Sequence, residues 1–283
     1  MPALSEGQVS VRGLIMGPGT GYVVAEFAPE EIQARGETTA RAWAHGSWGG
    51  AEFAAERVVS MTITVNARTA ADWDELHHDL QAAFAPIGTD PDTELRWRIG
   101  GSEYLMFGRP RSANAATKLV HQGISTVACG FVALDPLKYS GDEQTVDDIG
   151  PPAFSGGLAL PTTVPFAIGA APVNGQAATI HVGTAPTGMA WRITGPAQRP
   201  RVLLTGPDGT RAEWSYLADV PVGSWLDVDT AARTVFEAGR TSRRAQVTGD
   251  WPLLNPGESL LRLRGWRLGE AASLTARWRH AWW

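Results

Sequence analysis

Residues Val127–Ser140, VACGFVALDPLKYS, decide how the chain is divided. The stretch predicts a β-strand that ends at Asp135-Pro136, because proline cannot donate a hydrogen bond to a sheet. A polar segment rich in proline and glycine follows at 141–161, and a second strand-rich region continues to the last residue. This layout predicts two β-rich domains, residues 1–144 and residues 145–283.

Composition and charge narrow the class of protein. The 283 residues exceed the usual size of one hydrophobic core, and 43% hydrophobic with 19% charged residues is typical of a globular protein. The sequence contains no run of eighteen apolar residues, so we expect no membrane span. Its first residues lack a basic start followed by an apolar block, so we expect no secretory signal. Up to residue 140 there are 11 basic and 16 acidic residues, so the positive field that duplex binding needs is missing. We expect neither sequence-specific nucleic-acid binding nor membrane insertion.

Periodicity predicts strands and one helix in the first domain. Alternating apolar residues predict strands at 59–65, 94–99, 103–107 and 123–134. Gly100-Gly101 indicates a hairpin turn between the second and third of these strands. A helix is predicted after the first strand, because Thr69 can cap it, Asp72 follows three residues later and Pro86 ends it. Apolar residues at helical spacing indicate that the helix packs against a sheet.

The segment Pro29–Glu56 has a different composition from its surroundings. It is poor in large aliphatic residues and contains three isolated aromatic residues, Trp43, Trp48 and Phe53. Such a segment cannot bury itself well, which predicts a long loop or a protruding hairpin. Long ordered loops usually have a binding role.

The second domain is predicted to be an antiparallel sandwich or jelly roll. Turn residues at Asn174-Gly175, Pro207-Asp208-Gly209 and Asn255-Pro256-Gly257 separate short strands at intervals of roughly 8–12 residues. Strands are predicted at 178–182, 190–193, 201–205, 212–217, 224–228, 234–237, 260–266 and 273–282.

Motifs for catalysis or metal binding are weak. The phosphate-loop, HExxH, GxSxG and CxxC patterns are absent from the sequence. Gly17–Gly21, GPGTG, leads into a strand and lacks a following lysine, so a turn is favoured over a phosphate site. His77 and His78 point about 100° apart on the predicted helix, which favours a solvated face over a metal site. Cys129 is the one cysteine, so no internal disulfide can form, and a buried thiol is favoured over a nucleophile.

Two groups of acidic residues could serve catalysis or calcium binding, but each also suits a turn or a linker. Asp227 and Asp229 resemble a glycosidase carboxylate pair, although Asp229–Arg233 also suits a hairpin turn. The acidic residues at 142–148 have a spacing that fits no calcium loop, which favours a solvated linker. We therefore expect no enzyme activity, no cofactor and no metal.

Eight of the twelve tryptophans lie in the second domain. On the last strand, Leu274, Ala276, Trp278, His280 and Trp282 form one alternating face. Such aromatic residues can fill a core, anchor a protein interface or stack on a sugar. Core packing is favoured because a terminal strand with this much apolar area is more easily buried than displayed.

The order of features resembles the distal tail, or minor tail, proteins of siphophages that infect actinobacteria. The residues that carry the resemblance in the first domain are Arg57 followed by VVSMTITV, the helix end AAFAP, LMFGR at 105–109 and FVALDPLKYS. Those in the second domain are WRITGP at 191–196, WLDVDTAARTV at 225–235, WPLLNPG at 251–257 and the terminal RWRHAWW.

The resemblance implies a mainly β chain: a sandwich-like, ring-forming domain with one helix and a belt-like hairpin, then a galectin-like or jelly-roll sandwich. It implies a hexameric ring in the virion that joins the tail tube to the tail-tip hub or baseplate. Its partners would be its own copies, the tube, hub and tape measure proteins, and fibre or receptor-binding proteins. Ring contacts are expected at Trp43, Trp48, Phe53, Arg57 and Arg109.

Two other functions compete with this one. A carbohydrate-binding tail-tip module would use exposed aromatic residues of the second domain to bind host surface glycans. A glycosidase would use Asp227 or Asp229. The acidic excess of the first domain suits a ring through which DNA passes without binding, because like charges repel.

Overall fold

The computed structural model describes residues 3–29, 32–86, 88–89, 91–116, 122–151 and 175–283. These residues form mostly β-strands, with α1 (Ala70–Ala83) as the one α-helix among them. The chain divides into two compact units, the first ending at Gly141 and the second running from Asp142 to Trp282. The predicted mainly β class is confirmed.

The first unit is an antiparallel sheet with α1 packed on one face. Its strands are β1 (Val9–Val11), β2 (Leu14–Met16), β3 (Tyr22–Pro29), β4 (Ala34–Ala40), β5 (Ser47–Ala54), β6 (Arg57–Asn66), β7 (Thr93–Ile99), β8 (Ser102–Ala116), β9 (Ile124–Ala133) and β10 (Lys138–Ser140). The order across the sheet is β2-β1-β7-β8-β9-β6-β3, and β10 pairs with β8. β4 and β5 pair with each other in a separate two-stranded sheet.

The core of the first unit lies between α1 and the sheet. The face of β6 that alternation predicted to be buried is buried, and it consists of Val59, Met61, Ile63 and Val65. The helix contributes Leu80 and Ala83 to the same core, and Phe84, its C-cap residue, packs there too. As predicted, Thr69 caps the helix: its hydroxyl accepts a hydrogen bond from the Asp72 N–H at 3.1 Å.

The second unit contains two larger sheets and one small sheet. Its strands are β11 (Gln144–Ile149), β12 (Gln176–His181), β13 (Met189–Thr194), β14 (Ala197–Gln198), β15 (Arg201–Thr205), β16 (Arg211–Tyr216), β17 (Asp219–Val220), β18 (Trp225–Asp229), β19 (Thr234–Glu237), β20 (Thr241–Ser242), β21 (Val247–Gly249), β22 (Gly257–Arg264), β23 (Arg267–Leu268), β24 (Ser273–Trp278) and β25 (Ala281–Trp282). The sheet orders are β11-β24-β13-β18-β19-β20, β12-β22-β15-β16-β21 and β17-β14-β23. A short 3₁₀ helix spans Arg244–Gln246.

One hydrophobic core joins the two larger sheets. Trp191 on β13 of one sheet meets Trp214 on β16 of the other, with ring centroids 6.0 Å apart and planes at 83°. Both tryptophans are fully buried, and Trp278 on β24 belongs to the same core. The arrangement is the sandwich predicted from the turn spacing, because side chains from two sheet faces fill one interior.

Two segments differ from the sequence prediction. Residues 144–149, expected in a solvated linker, form β11 and pair with β24 at the edge of the six-stranded sheet. On the C-terminal strand the alternation ends after Trp278, so that Ala281 is buried while His280 and Trp282 are only half-buried. Residues 152–161 of the predicted linker, and Asn174, lie outside the described residues.

Candidate functional site: an exposed β-ribbon

The strands β4 and β5 form a two-stranded unit, here called the ribbon. It lies between β3 and β6 in sequence, and every residue of β4 and all of β5 except Ala54 are exposed. At its turn the Arg41 N–H donates to the Gly46 carbonyl at 3.1 Å, and at its base the Ala55 N–H donates to the Gln33 carbonyl at 2.8 Å. The segment predicted to be a loop or hairpin is therefore a hairpin with ordered ends.

An extra residue in β5 changes which side chains share a face of the ribbon. Trp48 lies opposite Thr39 and Phe53 lies opposite Arg35, with a register shift between these two pairs. Thr39 and Arg35 are four residues apart in one strand, so they point to the same face, and residues directly opposite share it. Trp48 and Phe53 therefore lie on the same face.

The register shift is a β-bulge built on glycine. Where β4 advances two residues from Thr38 to Gly36, β5 advances three from Gly49 to Glu52. A Cβ atom on Gly50 would lie 3.0 Å from the Glu37 carbonyl oxygen, so this close backbone approach favours glycine. The pair Gly49-Gly50 inside a strand is the sequence signal that indicates a bulge.

Three aromatic side chains of the ribbon are exposed to solvent. Trp43 in the turn is 100% exposed, Trp48 is 65% exposed and Phe53 is 61% exposed. The Arg41 guanidinium lies 4.5 Å from the centroid of the Trp48 ring, which is a cation–π contact. This contact orients Trp48 without removing it from water.

A ribbon of this kind gains stability from a partner. An isolated two-stranded hairpin is marginally stable in water, because it has no layer against which to bury its side chains. Moving one large apolar side chain from water into a packed interface contributes roughly 1.5–3 kcal/mol. The ribbon therefore has the chemistry of a protein-contact element.

The two arginines expected at the same contact lie elsewhere in the first unit. Arg57 is 7% exposed, its Nε has no hydrogen-bond partner among the described residues, and burial lowers its pKa. Arg109 donates from Nε to the Asp92 carboxylate at 2.8 Å and from a terminal nitrogen to the Gly88 carbonyl at 3.0 Å. The exposed rings of the ribbon belong to Trp43, Trp48 and Phe53. The structure does not bring either arginine side chain together with them.

The carboxylates considered for catalysis have structural partners. Asp227 accepts hydrogen bonds from Arg192 Nε at 2.7 Å and from the Trp225 indole N–H at 2.9 Å. Asp229 accepts from the Ala232 N–H at 2.8 Å, which is the predicted turn. Both side chains therefore have a role in holding β18 and its turn.

The sulfur and histidine candidates are also accounted for by packing. Cys129 is buried, and burial raises the pKa of its thiol to about 12. His77 differs from the prediction of a solvated face: it stacks on Trp73 with ring centroids 4.7 Å apart, because its side chain lies along the helix toward the preceding turn. His78 is exposed and lies 2.8 Å from the Asp74 carbonyl. Within the described ranges, no group of three or more His, Cys, Asp or Glu side chains is placed to hold a metal ion.

The glycine-rich run near the N-terminus forms a turn, as predicted. The Thr20 hydroxyl donates to the Gly17 carbonyl at 2.7 Å, and β3 begins two residues later at Tyr22. A cavity of about 380 Å³ adjoins this turn, and the described residues that line it carry no cationic side chain. In the part of the chain that the structure describes, no helix has both the length and the hydrophobicity required to cross a membrane.

The fold of the chain is similar to that of chains in solved phage structures. One solved structure with this fold is the Dit protein of phage SPP1, described as a paradigm of the hub adsorption apparatus in phages that infect Gram-positive bacteria. It aligns with a TM-score of 0.67 and 14% identity over 97% of this chain and 98% of that chain.

Two further structures are those of the phage P2 baseplate in its activated conformation. The structure with calcium gives a TM-score of 0.54 with 8% identity, over 96% of this chain and 97% of that chain. The structure with strontium gives a TM-score of 0.51 with 8% identity, over 95% and 96%. A scan against protein-family models gave no match. A search of curated proteins likewise gave none.

Proposed function

We propose that this protein is a structural subunit of a siphophage tail tip, a distal tail protein whose copies form a ring between the tail tube and the tip hub. In this role the ring has six-fold symmetry and resides in the virion. Its subunits contact the tube, hub and tape measure proteins. Its first unit forms the ring, and its second unit is a galectin-like sandwich. It works through shape and buried surface, without a catalytic step.

The observation that carries the proposal is the ribbon. A single copy of the chain leaves Trp43, Trp48 and Phe53 more than half exposed, on a hairpin that gains stability from a partner. A projecting element suits the head-to-tail contact of a closed ring, in which each subunit presents a projection to the next and receives one. The fold that the chain shares with SPP1 Dit and the P2 baseplate chains supports the place in a tail tip.

Charge gives separate support for a ring that DNA crosses. The first 140 residues contain 16 acidic and 11 basic residues, and a wall with an acidic balance repels the phosphate backbone rather than retaining it. An inner wall dominated by arginine in an imaged ring would contradict this part of the proposal.

Native mass spectrometry of the full chain tests the assembly. The expected mass is that of six chains. Deletion of residues 40–52 removes the turn and most of β5. We expect both units of this variant to fold and its measured mass to be that of one chain. Trp266→Ala is the matched control, because it removes an exposed tryptophan from the second unit and should leave the six-chain mass unchanged. A deletion variant that still forms hexamers would reject the ribbon as the contact, and a wild-type chain that stays single would reject the ring.

A further inference from the structure

We propose that the second unit carries a saccharide-binding site built around Trp266. A cavity of about 320 Å³ opens there, and its described lining consists of Gln198, Arg199, Asp219 and Trp266. The volume is at the lower end of the range for small-molecule sites, about 300–1,000 Å³. The lining combines one aromatic ring with a carboxylate, an amide and a guanidinium. The ring-forming role of the first unit does not require this site.

The small sheet β17-β14-β23 positions the polar side chains. In β14, Ala197 pairs with Val220 and Gln198 pairs with Asp219. Ala197 and Val220 are buried in the core of the unit. Because side chains alternate along a strand, Gln198 and Asp219 point away from that core, side by side. The same two-residue strands that close the core thus supply two hydrogen-bonding groups to the cavity.

Trp266 is held in place through its backbone. Its N–H donates to the Gln198 carbonyl at 2.9 Å. A Cβ atom on the preceding Gly265 would lie 3.0 Å from that same carbonyl oxygen, so glycine permits the close approach. The indole itself is 81% exposed and makes no ring-stacking or cation–π contact with the described residues. An anchored backbone with an uncovered ring is the arrangement of a stacking platform.

Asp219 and Arg199 fix each other beside the ring. The Arg199 N–H donates to Asp219 Oδ1 at 3.2 Å, which leaves Oδ2 without a partner among the described residues. Arg199 has φ of +44°, in the left-handed region that residues with a side chain rarely adopt. Such strained positions cluster at ligand sites.

The chemistry of this lining selects a neutral sugar. A pyranose has an apolar C–H face that can lie on an indole, and each of its hydroxyls both donates and accepts. Asp219 accepts, Arg199 donates and Gln198 does both, so adjacent hydroxyls can be paired at one edge of the ring. The opposite charges of Asp219 and Arg199 balance in this lining, so it offers a phosphorylated ligand no net attraction. Trp191, Trp214 and Trp278 cannot form a platform because they are buried between the sheets.

Saturation-transfer NMR with the full chain tests the site. The probes are the methyl glycosides of glucose, galactose, mannose, rhamnose, N-acetylglucosamine and N-acetylgalactosamine. We expect at least one of them to receive saturation mainly at the C–H protons of one ring face, with a millimolar dissociation constant. Trp266→Ala should raise that constant about tenfold or more, and Asp219→Asn should raise it by a smaller factor.

Trp43→Ala serves as the control, because it removes a fully exposed tryptophan from the ribbon and should leave sugar binding unchanged. If no glycoside of the panel receives saturation from the wild-type chain, the proposal is rejected. It is also rejected if Trp266→Ala binds as the wild type does. Native mass spectrometry of the same Trp266→Ala sample reports on the ring separately, so the two proposals fail independently.

Discussion

Trp48 and Phe53 share one face of the ribbon because β5 contains one residue more than β4 between them. In a regular strand, residues five positions apart point to opposite faces. The bulge therefore gathers two exposed aromatic rings on one side, at the expense of a local interruption of the hydrogen-bond ladder. A ribbon with one apolar side is suited to packing on another protein surface.

Insertion of one glycine between Glu37 and Thr38 should separate these two rings. With a residue in β4 to match the extra residue of β5, the ladder becomes regular, and Trp48 and Phe53, five positions apart in a regular strand, point to opposite faces. We expect subunit association to weaken at least about tenfold, since one aromatic side chain that leaves an interface loses roughly 1.5–3 kcal/mol. Sedimentation velocity over a range of concentrations measures the change. Thr38→Ala, on the other face of the ribbon, is the control, and equal weakening by both variants would argue against a single contact face.

Trp214→Ala should destabilise the second unit strongly. Trp214 is fully buried and packs edge-to-face against both Trp191 and Trp251. Its truncation should lower the free energy of unfolding by about 3–5 kcal/mol through lost contacts and a cavity. Urea unfolding followed by circular dichroism provides the measurement. Trp266→Ala removes the same side chain from the surface and should stay within about 0.5 kcal/mol of wild type; similar losses in both variants would contradict the core assignment.

The Cys129 thiol should be unreactive in the native protein. Burial raises its pKa to about 12, so at pH 8 the thiol is protonated, while the thiolate is the reactive form. We expect Ellman's reagent to react at least about 100-fold more slowly with the folded chain than with the unfolded chain. An exposed cysteine introduced as Thr38→Cys reports the rate of an accessible thiol. Rapid labelling of native wild type would show that the first unit opens readily or that Cys129 is accessible.

The second unit should lose stability in mild acid. His181 and His280 approach with 3.3 Å between their Nδ1 atoms, and burial is the main cause that lowers both pKa values below 6.5. The unfolded chain then binds more protons than the folded chain below about pH 6.5. Below about pH 6.5 the free energy of unfolding should therefore decrease as the pH decreases. The decrease is at most about 1.4 kcal/mol per pH unit for each additional proton that the unfolded chain binds.

Urea unfolding of the second unit at pH 7.5, 6 and 5 measures this dependence. His280→Gln removes one of the two titrating groups and should reduce the slope. His45→Gln, which changes an exposed histidine in the turn of the ribbon, should keep the wild-type slope. A profile that is flat between pH 7.5 and 5 would contradict the lowered pKa values of His181 and His280.

The regular elements follow from local pattern. The buried face of β6, the helix that begins after Thr69 and the short strands between turn residues in the second half all lie within a few residues of their predicted bounds. Alternation and helical spacing report burial directly, because a side chain's direction is set by its own backbone. The exposed hairpin at 34–54 was also expected, since its composition offers little apolar surface to bury.

Long-range pairing decided the rest. The polar sequence of β11 predicts a linker. In the structure its backbone completes the edge of a sheet beside β24, which is distant in sequence. This pairing is possible because backbone hydrogen bonds do not depend on side-chain polarity. Tertiary packing buried Arg57. It also gathered Gln198, Asp219 and Trp266 around one cavity. A sequence pattern describes neighbours along the chain, whereas a site is made by groups that only folding brings into contact.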